Sequence, residues 1–310
     1  MIENRSADLK KAKIEYIAAV LLYGTIGLLV QFIKAESEFI VLCRGIIGTL
    51  TILCFMQIRR HPVDIAGIRR NFLLLTLSGV SLGLNWIFLF IAYRITTVAV
   101  ASLCNYMAPV IVIALSPFVL KEKLTLPKAL CVAVAFVGIV LVSGLIEGDA
   151  QDVNLPGIAM GMLAAAAFVG IVLCNKKIGP IDPMTKSAYQ LLVSAAVVLP
   201  YVLIKNGGIP FVTDGTSILL ILVLGIVQTG IAYIFYFYGM GVLPVQSVAI
   251  LGYLEPVVTV LTGVLILRQP ISPLGILGAM LILGAAMCSE TGFSFRKNNN
   301  NISTEGRHIK

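Results

Sequence analysis

Ten long apolar stretches divide this chain, at residues 16–33, 39–58, 72–93, 98–120, 129–146, 155–174, 187–204, 217–238, 245–267 and 271–288. Each is about 18 residues or longer, the length a helix needs to cross a hydrocarbon core of about 30 Å. Transmembrane β-strands would show segments of only ~9–11 residues with alternating character. Lipid offers no partners to backbone N–H and C=O groups, so each stretch is expected to be a helix that satisfies its own backbone. The short breaks at 94–97 and 239–244 force their flanking helices into antiparallel hairpins.

One pattern occurs twice, 147 positions apart. Residues 105–125 read NYMAPVIVIALSPFVLKEKLT and residues 252–272 read GYLEPVVTVLTGVLILRQPIS. Tyr106 aligns with Tyr253, Pro109 with Pro256, Lys121 with Arg268 and Thr125 with Ser272. A weaker echo sets Trp86 and Phe90 against Tyr233 and Phe237. The acidic break at 147–154 divides the stretches five and five. Five is odd, so the second half enters the membrane with opposite orientation, and Lys121 and Arg268 fall on opposite sides. The expected fold is therefore all-α integral membrane, ten transmembrane helices as two inverted five-helix repeats. The repeats are residues 1–146 and 155–290, joined by an extracytoplasmic linker at 147–154. A polar tail at 291–310 is expected to be a disordered cytoplasmic segment.

Composition agrees with a membrane protein. Hydrophobic residues make up 58% of the 310, charged residues 12%, and mean hydropathy is +0.98; soluble domains carry about twice that share of charge. A net charge of +8 would suggest a nucleic-acid partner in a soluble protein. Here the placement of the charges carries the information, and no nucleic acid is expected. With ten spans, eighteen Lys and Arg residues fall on one side and four, Lys34, Arg94, Lys205 and Arg268, on the other. The Lys/Arg-rich side is the cytoplasmic one. Both termini are thus expected in the cytoplasm, with the chain multi-pass in a plasma membrane, the bacterial inner membrane. The first stretch follows a basic segment, but it exceeds the usual signal-peptide core and no small-x-small site follows, so it reads as a retained helix.

Few residues can carry chemistry. The six cysteines are single, each within a span, so neither a disulfide framework nor a metal site is indicated. No Gly-x-Ser-x-Gly, His-Glu-x-x-His or phosphate-binding loop is present, so no catalytic residues and no cofactor are assigned. Only Arg44 and Glu255 are charged well inside a span, where charge is costly and usually functional. Glu255 reads either as half of a buried pair with Arg44 or as a cavity acid that binds a cationic group or a proton. Arg44 either reaches that cavity or snorkels to the surface. Pro109 and Pro256, each next to a tyrosine and an apolar run, are candidate hinges, since proline disturbs a helix by freeing a carbonyl one turn earlier. Asn85, Trp86, Tyr106, Gln190, Tyr233 and Tyr253 complete the candidate substrate-binding set, and Gln228 is a softer one. Close-packing glycines at Gly24/Gly27, Gly45/Gly48 and Gly157/Gly161 read as helix contacts.

Ten spans, two repeats and the motif from Met107 to Thr125 resemble the EamA-type members of the drug/metabolite transporter superfamily. The run Lys121-Glu122-Lys123-Leu124-Thr125 matches the ending of the fourth helix in that family. In the second half Gln269 replaces the usual Glu. Leu254-Glu255-Pro256 is similar to a common second-half variant, and Arg44 matches a frequent basic residue of helix two. The resemblance, over residues 16–290, implies a secondary transporter of small-molecule substrates in a lipid bilayer, moving amino acids or related metabolites without ATP hydrolysis. Efflux is the expected direction, with Glu255 available for proton coupling and the oligomeric state unassigned. A drug or nucleotide-sugar exchanger is the alternative within the superfamily. A non-transporting receptor or an intramembrane enzyme is the alternative outside it.

Overall fold

The computed structural model describes residues 2–119, 126–142, 154–210, 212–243, 251–252 and 254–291. Every regular element among them is helical. In chain order these are α1 (Ile2–Gly24), α2 (Ile26–Phe32), α3 (Ser37–Ile58), the short α4 (Ile65–Arg70), α5 (Phe72–Ile95), α6 (Val98–Asn105), α7 (Ala108–Val119) and α8 (Leu126–Val142). The second half holds α9 (Leu155–Lys177), α10 (Pro183–Asn206), α11 (Gly215–Leu222), α12 (Ala232–Val242), α13 (Leu254–Leu261) and α14 (Pro273–Thr291). Two π-helical stretches interrupt this order, Val223–Ile231 between α11 and α12 and Thr262–Ile266 after α13. Among the described residues six rods are long and apolar enough to cross a membrane, and four shorter apolar helices fall within the remaining expected spans. Tyr253, the expected linker apart from Asn154 and the expected tail apart from Thr291 lie outside the described residues.

Side chains set the ends of these helices. Asp64, Thr97, Asn154, Asp182 and Asp214 precede α4, α6, α9, α10 and α11, and each accepts a bond from a backbone N–H three residues on. Such caps satisfy donors that the first turn leaves without partners. The chain leaves α3 through Arg60 and the second π-helical stretch through Arg268, both at φ 52°.

The inverted relation of the halves is visible in the packing. Adding the 147-residue offset to α3 gives α10, and adding it to α8 gives α14. Each of these equivalent pairs packs together. At one end Lys205 of α10 bonds Glu38 of α3 at 2.5 Å and Glu36 at 3.2 Å. At the other, His61 beyond α3 meets Asp182 at the start of α10 at 3.0 Å. Equivalent helices therefore run antiparallel, as a twofold axis in the membrane plane requires. The axis also exchanges the contact of α1 with α12 and that of α5 with α9.

Small residues make these contacts close. A Cβ on Gly45 would come within 3.1 Å of the Leu191 carbonyl, and one on Gly48 within 2.5 Å of Thr229 Cγ2. Helices in lipid associate through such close approach because water exclusion does not drive them together. Leu50, Ile204, Leu219 and Leu265 are exposed on the outer surface, where an apolar solvent would cover them.

Candidate functional site

A cavity of about 340 Å³ lies between the halves. Seven of the eight expected substrate-binding residues line it: Arg44, Asn85, Trp86, Tyr106, Gln190, Tyr233 and Glu255. The eighth, Tyr253, is outside the described residues. Pro109 lies on α7, its side chain outside the described ones, Pro256 lies on α13 and is not among the described lining residues, and Gln228 is buried, donating to Thr25 Oγ1 at 2.6 Å.

Arg44 forms the floor. Its guanidinium carbon stands 4.0 Å from the centre of the Trp86 ring, and Nε donates to Thr229 Oγ1 at 2.7 Å. At 3% exposure it does not snorkel. It forms no ion pair with Glu255 or any other carboxylate among the described residues. The stacking supplies part of the compensation, on the order of 2 kcal/mol for a desolvated cation over an aromatic face. The π-helical stretch supplies the hydrogen-bond partner. Thr229 Oγ1 donates to the Leu224 carbonyl five residues back at 2.8 Å, which leaves its lone pairs to Arg44. Gly225 and Gly230 admit Ile47 and Thr51 of α3 against this stretch, which brings Arg44 within reach. Among the described residues one of the five guanidinium donors is used, so the fork can bind a further acceptor in the cavity.

Glu255 stands on α13. Its side chain lines the cavity together with Tyr106 and Thr259, and Thr259 Oγ1 donates to the Glu255 carbonyl at 3.0 Å. Gly24 of α1 makes room here, because a Cβ at that position would fall 2.8 Å from the Glu255 carbonyl. Tyr106 marks a break in the fourth apolar segment. α6 ends at Asn105 and α7 begins at Ala108, with Met107 N–H turning back to the Cys104 carbonyl at 3.1 Å. Pro109 follows this break and cannot supply the N–H that would bond the Asn105 carbonyl in a continuous helix. Asn85 holds the same place together, donating to Asn105 Oδ1 at 2.9 Å and to the Ala164 carbonyl at 2.8 Å. Gln190 donates to Ser78 Oγ and Asn175 Oδ1 at 2.7 and 2.9 Å. The polar lining is thus largely tied down before any occupant arrives.

The rest of the lining is aromatic, with Tyr23, Phe90, Tyr93, Tyr236 and Phe237 joining Trp86 and Tyr233. Tyr23 meets Tyr233 edge-on at 5.9 Å between ring centres, and its hydroxyl is buried without a partner among the described residues. Sequence reasoning missed Tyr23, Tyr93, Ser102, Asn175 and Lys186. Asn105 was within its reach, directly before Tyr106 in the duplicated motif.

Among the described residues the cavity is closed at one end and open at the other. Toward the end that carries Glu36 and Lys205, its lining is buried: Ser102 is 2% and Tyr93 5% exposed. Beyond them Arg94 Nη2 bonds the Ile33 and Ala35 carbonyls at 2.6 and 2.9 Å. Lys34 N–H bonds Ser217 Oγ at 2.9 Å, and Val98 N–H bonds Gln269 Oε1 at 2.9 Å. Toward the basic end of Arg59 and Arg70 the lining opens through Lys186, Phe237 and Met240, the last 46% exposed.

Comparisons with known proteins place this geometry. The model of the EamA-like transporter family matches residues 13–144 and again 155–290. The uncharacterized transporter YxxF of Bacillus subtilis (strain 168) is 28% identical over 260 residues, 81% of this chain and 82% of that protein. Protein PecM of Dickeya dadantii (strain 3937) is 30% identical over 216 residues, 68% of this chain and 71% of that one. A protein of Salmonella typhimurium named "Probable amino-acid metabolite efflux pump" is 28% identical over 221 residues, 68% and 73% of the two chains. A solved crystal structure superposes with a TM-score of 0.63 at 20% identity, covering 90% of this chain and 97% of its own, a likeness of fold alone. With both repeats matched by one family model, the chain belongs to the EamA-like transporter family and is a multi-pass membrane transporter of the drug/metabolite transporter superfamily.

Proposed function

We propose that this transporter exports amino acids or related small metabolites by alternating access, with the central cavity as the substrate site. The observation that carries the reading is a cavity between inverted halves, closed at one end and open at the other. A site at the repeat interface with one open end is what rocking of one repeat against the other needs. The cargo class is supported by the Salmonella relative's name and by the lining. Arg44 offers a fork to a carboxylate, Glu255 an acceptor to an ammonium, and the rings an apolar wall. In this reading Glu255 also exchanges the coupling proton, and Pro109 and Pro256 accommodate the bending. The functional units are residues 1–146 and 155–290. The basic end and both termini face the cytoplasm of a bacterial inner membrane, so the cavity is open inward.

Flux in proteoliposomes tests this. An imposed proton gradient should drive accumulation of at least one amino acid or amino-acid metabolite above that in empty vesicles, and Arg44→Gln should abolish it. The aromatic wall favours flat amphipathic drugs as a second cargo class, measured in the same vesicles. If no amino acid, metabolite or drug moves faster than in protein-free vesicles, the reading fails.

A further inference from the structure

Lys186 lines the cavity at its open end and takes part in no ion pair among the described residues. It belongs to the first turns of α10, where its N–H bonds the Asp182 carbonyl at 2.9 Å, and its side chain is half-buried. Residues four apart share one helix face. Lys186 and Gln190 are so spaced, and Gln190, one turn deeper, also lines the cavity. Beyond Gln190 lies Arg44. Among the described lining residues there are thus two cations, Arg44 and Lys186, against one carboxylate, Glu255. A partly desolvated charge without a partner is costly, and a concave wall with excess charge of one sign concentrates ligands of the other.

We infer that Lys186 and Arg44 are two stations of one anion path: Lys186 takes the carboxylate of a substrate at the open mouth and Arg44 holds it at the floor. Lys186 is then a specificity-determining residue, and the cargo class is small organic acids and zwitterions with an apolar body, to the exclusion of simple organic cations. The inference rests on the cavity being the substrate site of the transport reading. Ammonium and guanidinium suit the two positions differently. A flexible point charge can follow an entering group, whereas a stacked planar fork fixes it bidentately.

The chain supplies its own probe, because Trp86 is its single tryptophan and lies under Arg44. Its emission reports the cavity floor. Purified protein in lipid nanodiscs would be titrated with 3-phenylpropionate, phenylalanine and phenethylamine, which share one apolar body and differ in charge. The acid and the zwitterion should shift Trp86 emission saturably and the amine should not. Lys186→Gln should weaken both carboxylate probes about tenfold, the scale of one lost charged contact, and Lys186→Arg should largely restore them. Thermal melting of each variant would establish that it is folded. Equal binding of the amine, no shift with either carboxylate, or unchanged affinity in folded Lys186→Gln overturns the inference. Flux measured alongside separates the two readings. Carboxylate binding without any flux sinks transport and leaves the anion path, whereas flux with preference for the amine sinks the anion path and leaves transport.

Discussion

Gln269, which follows the second π-helical stretch, accepts a hydrogen bond at 2.9 Å from the N–H of Val98, the first residue of α6 in the other repeat. One half of the molecule thus caps a helix of the other, at the closed end of the cavity. Gln269→Ala should remove an acceptor worth about 1 kcal/mol. That shifts the population with this end open about fivefold. Gln269→Glu should act oppositely, because a carboxylate at a helix N-terminus accepts a charge-assisted bond. Labelling of Ser102→Cys with an impermeant thiol reagent added on the Lys205 side, in a background lacking native cysteines, reads both changes. Equal rates in all three proteins would remove Gln269 from the closure.

Arg44 and Glu255 are expected to fail differently. Arg44→Gln keeps a donor for Thr229 but loses the cation over Trp86, so carboxylate binding should fall at least tenfold. Glu255→Gln keeps the shape of the side chain and removes the charge. It should insert and melt normally while its flux loses most of its pH dependence. Initial rates from pH 5 to 8 in proteoliposomes check both. A wild-type pH profile in Glu255→Gln would leave that glutamate a structural role only.

The basic end makes a separate prediction about stability. Asp182 precedes α10 outside the apolar span. Burial alone would raise its carboxyl, but the Thr185 N–H and His61 outweigh it and hold the carboxyl below its ordinary value of 3.8. A depressed folded-state value means that the stabilisation is present above the unfolded value and is lost as pH falls through the folded one. Asp182→Ala should therefore cost roughly 0.5–2 kcal/mol at neutral pH. The difference from wild type should shrink below about pH 4, the region of the unfolded value. Melting temperature in detergent as a function of pH measures it.

Topology is open to direct measurement. Val63 and Ile209 are both exposed, at opposite ends of the α3–α10 pair. Val63→Cys and Ile209→Cys in a cysteine-free background should label from opposite sides of the membrane, Val63→Cys from the cytoplasm. Labelling of both from one side would break the proposed orientation.

Much of this was legible in the chain because lipid is a severe solvent. Apolar runs of helical length had no alternative structure, and the duplicated Tyr-x-x-Pro stood out against them. Tyr106, Tyr233 and Trp86 were found through that repetition, and Arg44 and Glu255 through the cost of charge in hydrocarbon. What stayed hidden had no repeat and no anomaly to mark it. Tyr23 and Tyr93 look like any interfacial tyrosine. Lys186 sits one residue before the apolar run that begins at Ser187, so it counted as a loop charge, yet α10 starts at Pro183 and carries it into the wall. Whether Arg44 paired with Glu255 was decided by Trp86 and Thr229, which lie far from both in sequence.

The π-helical stretch at Val223–Ile231 has one more consequence. A wide turn acts as a single inserted residue, so everything after it is advanced in phase by about 100° relative to an uninterrupted helix. Tyr233, Tyr236 and Phe237 follow that shift, and all three line the cavity. Deleting one residue from the stretch would let the helix relax to ordinary pitch and swing the aromatic wall about a quarter-turn away. The floor under Arg44 and the wall opposite Trp86 are thus governed by a single frame, and a one-residue deletion could empty a binding site without touching any residue that binds.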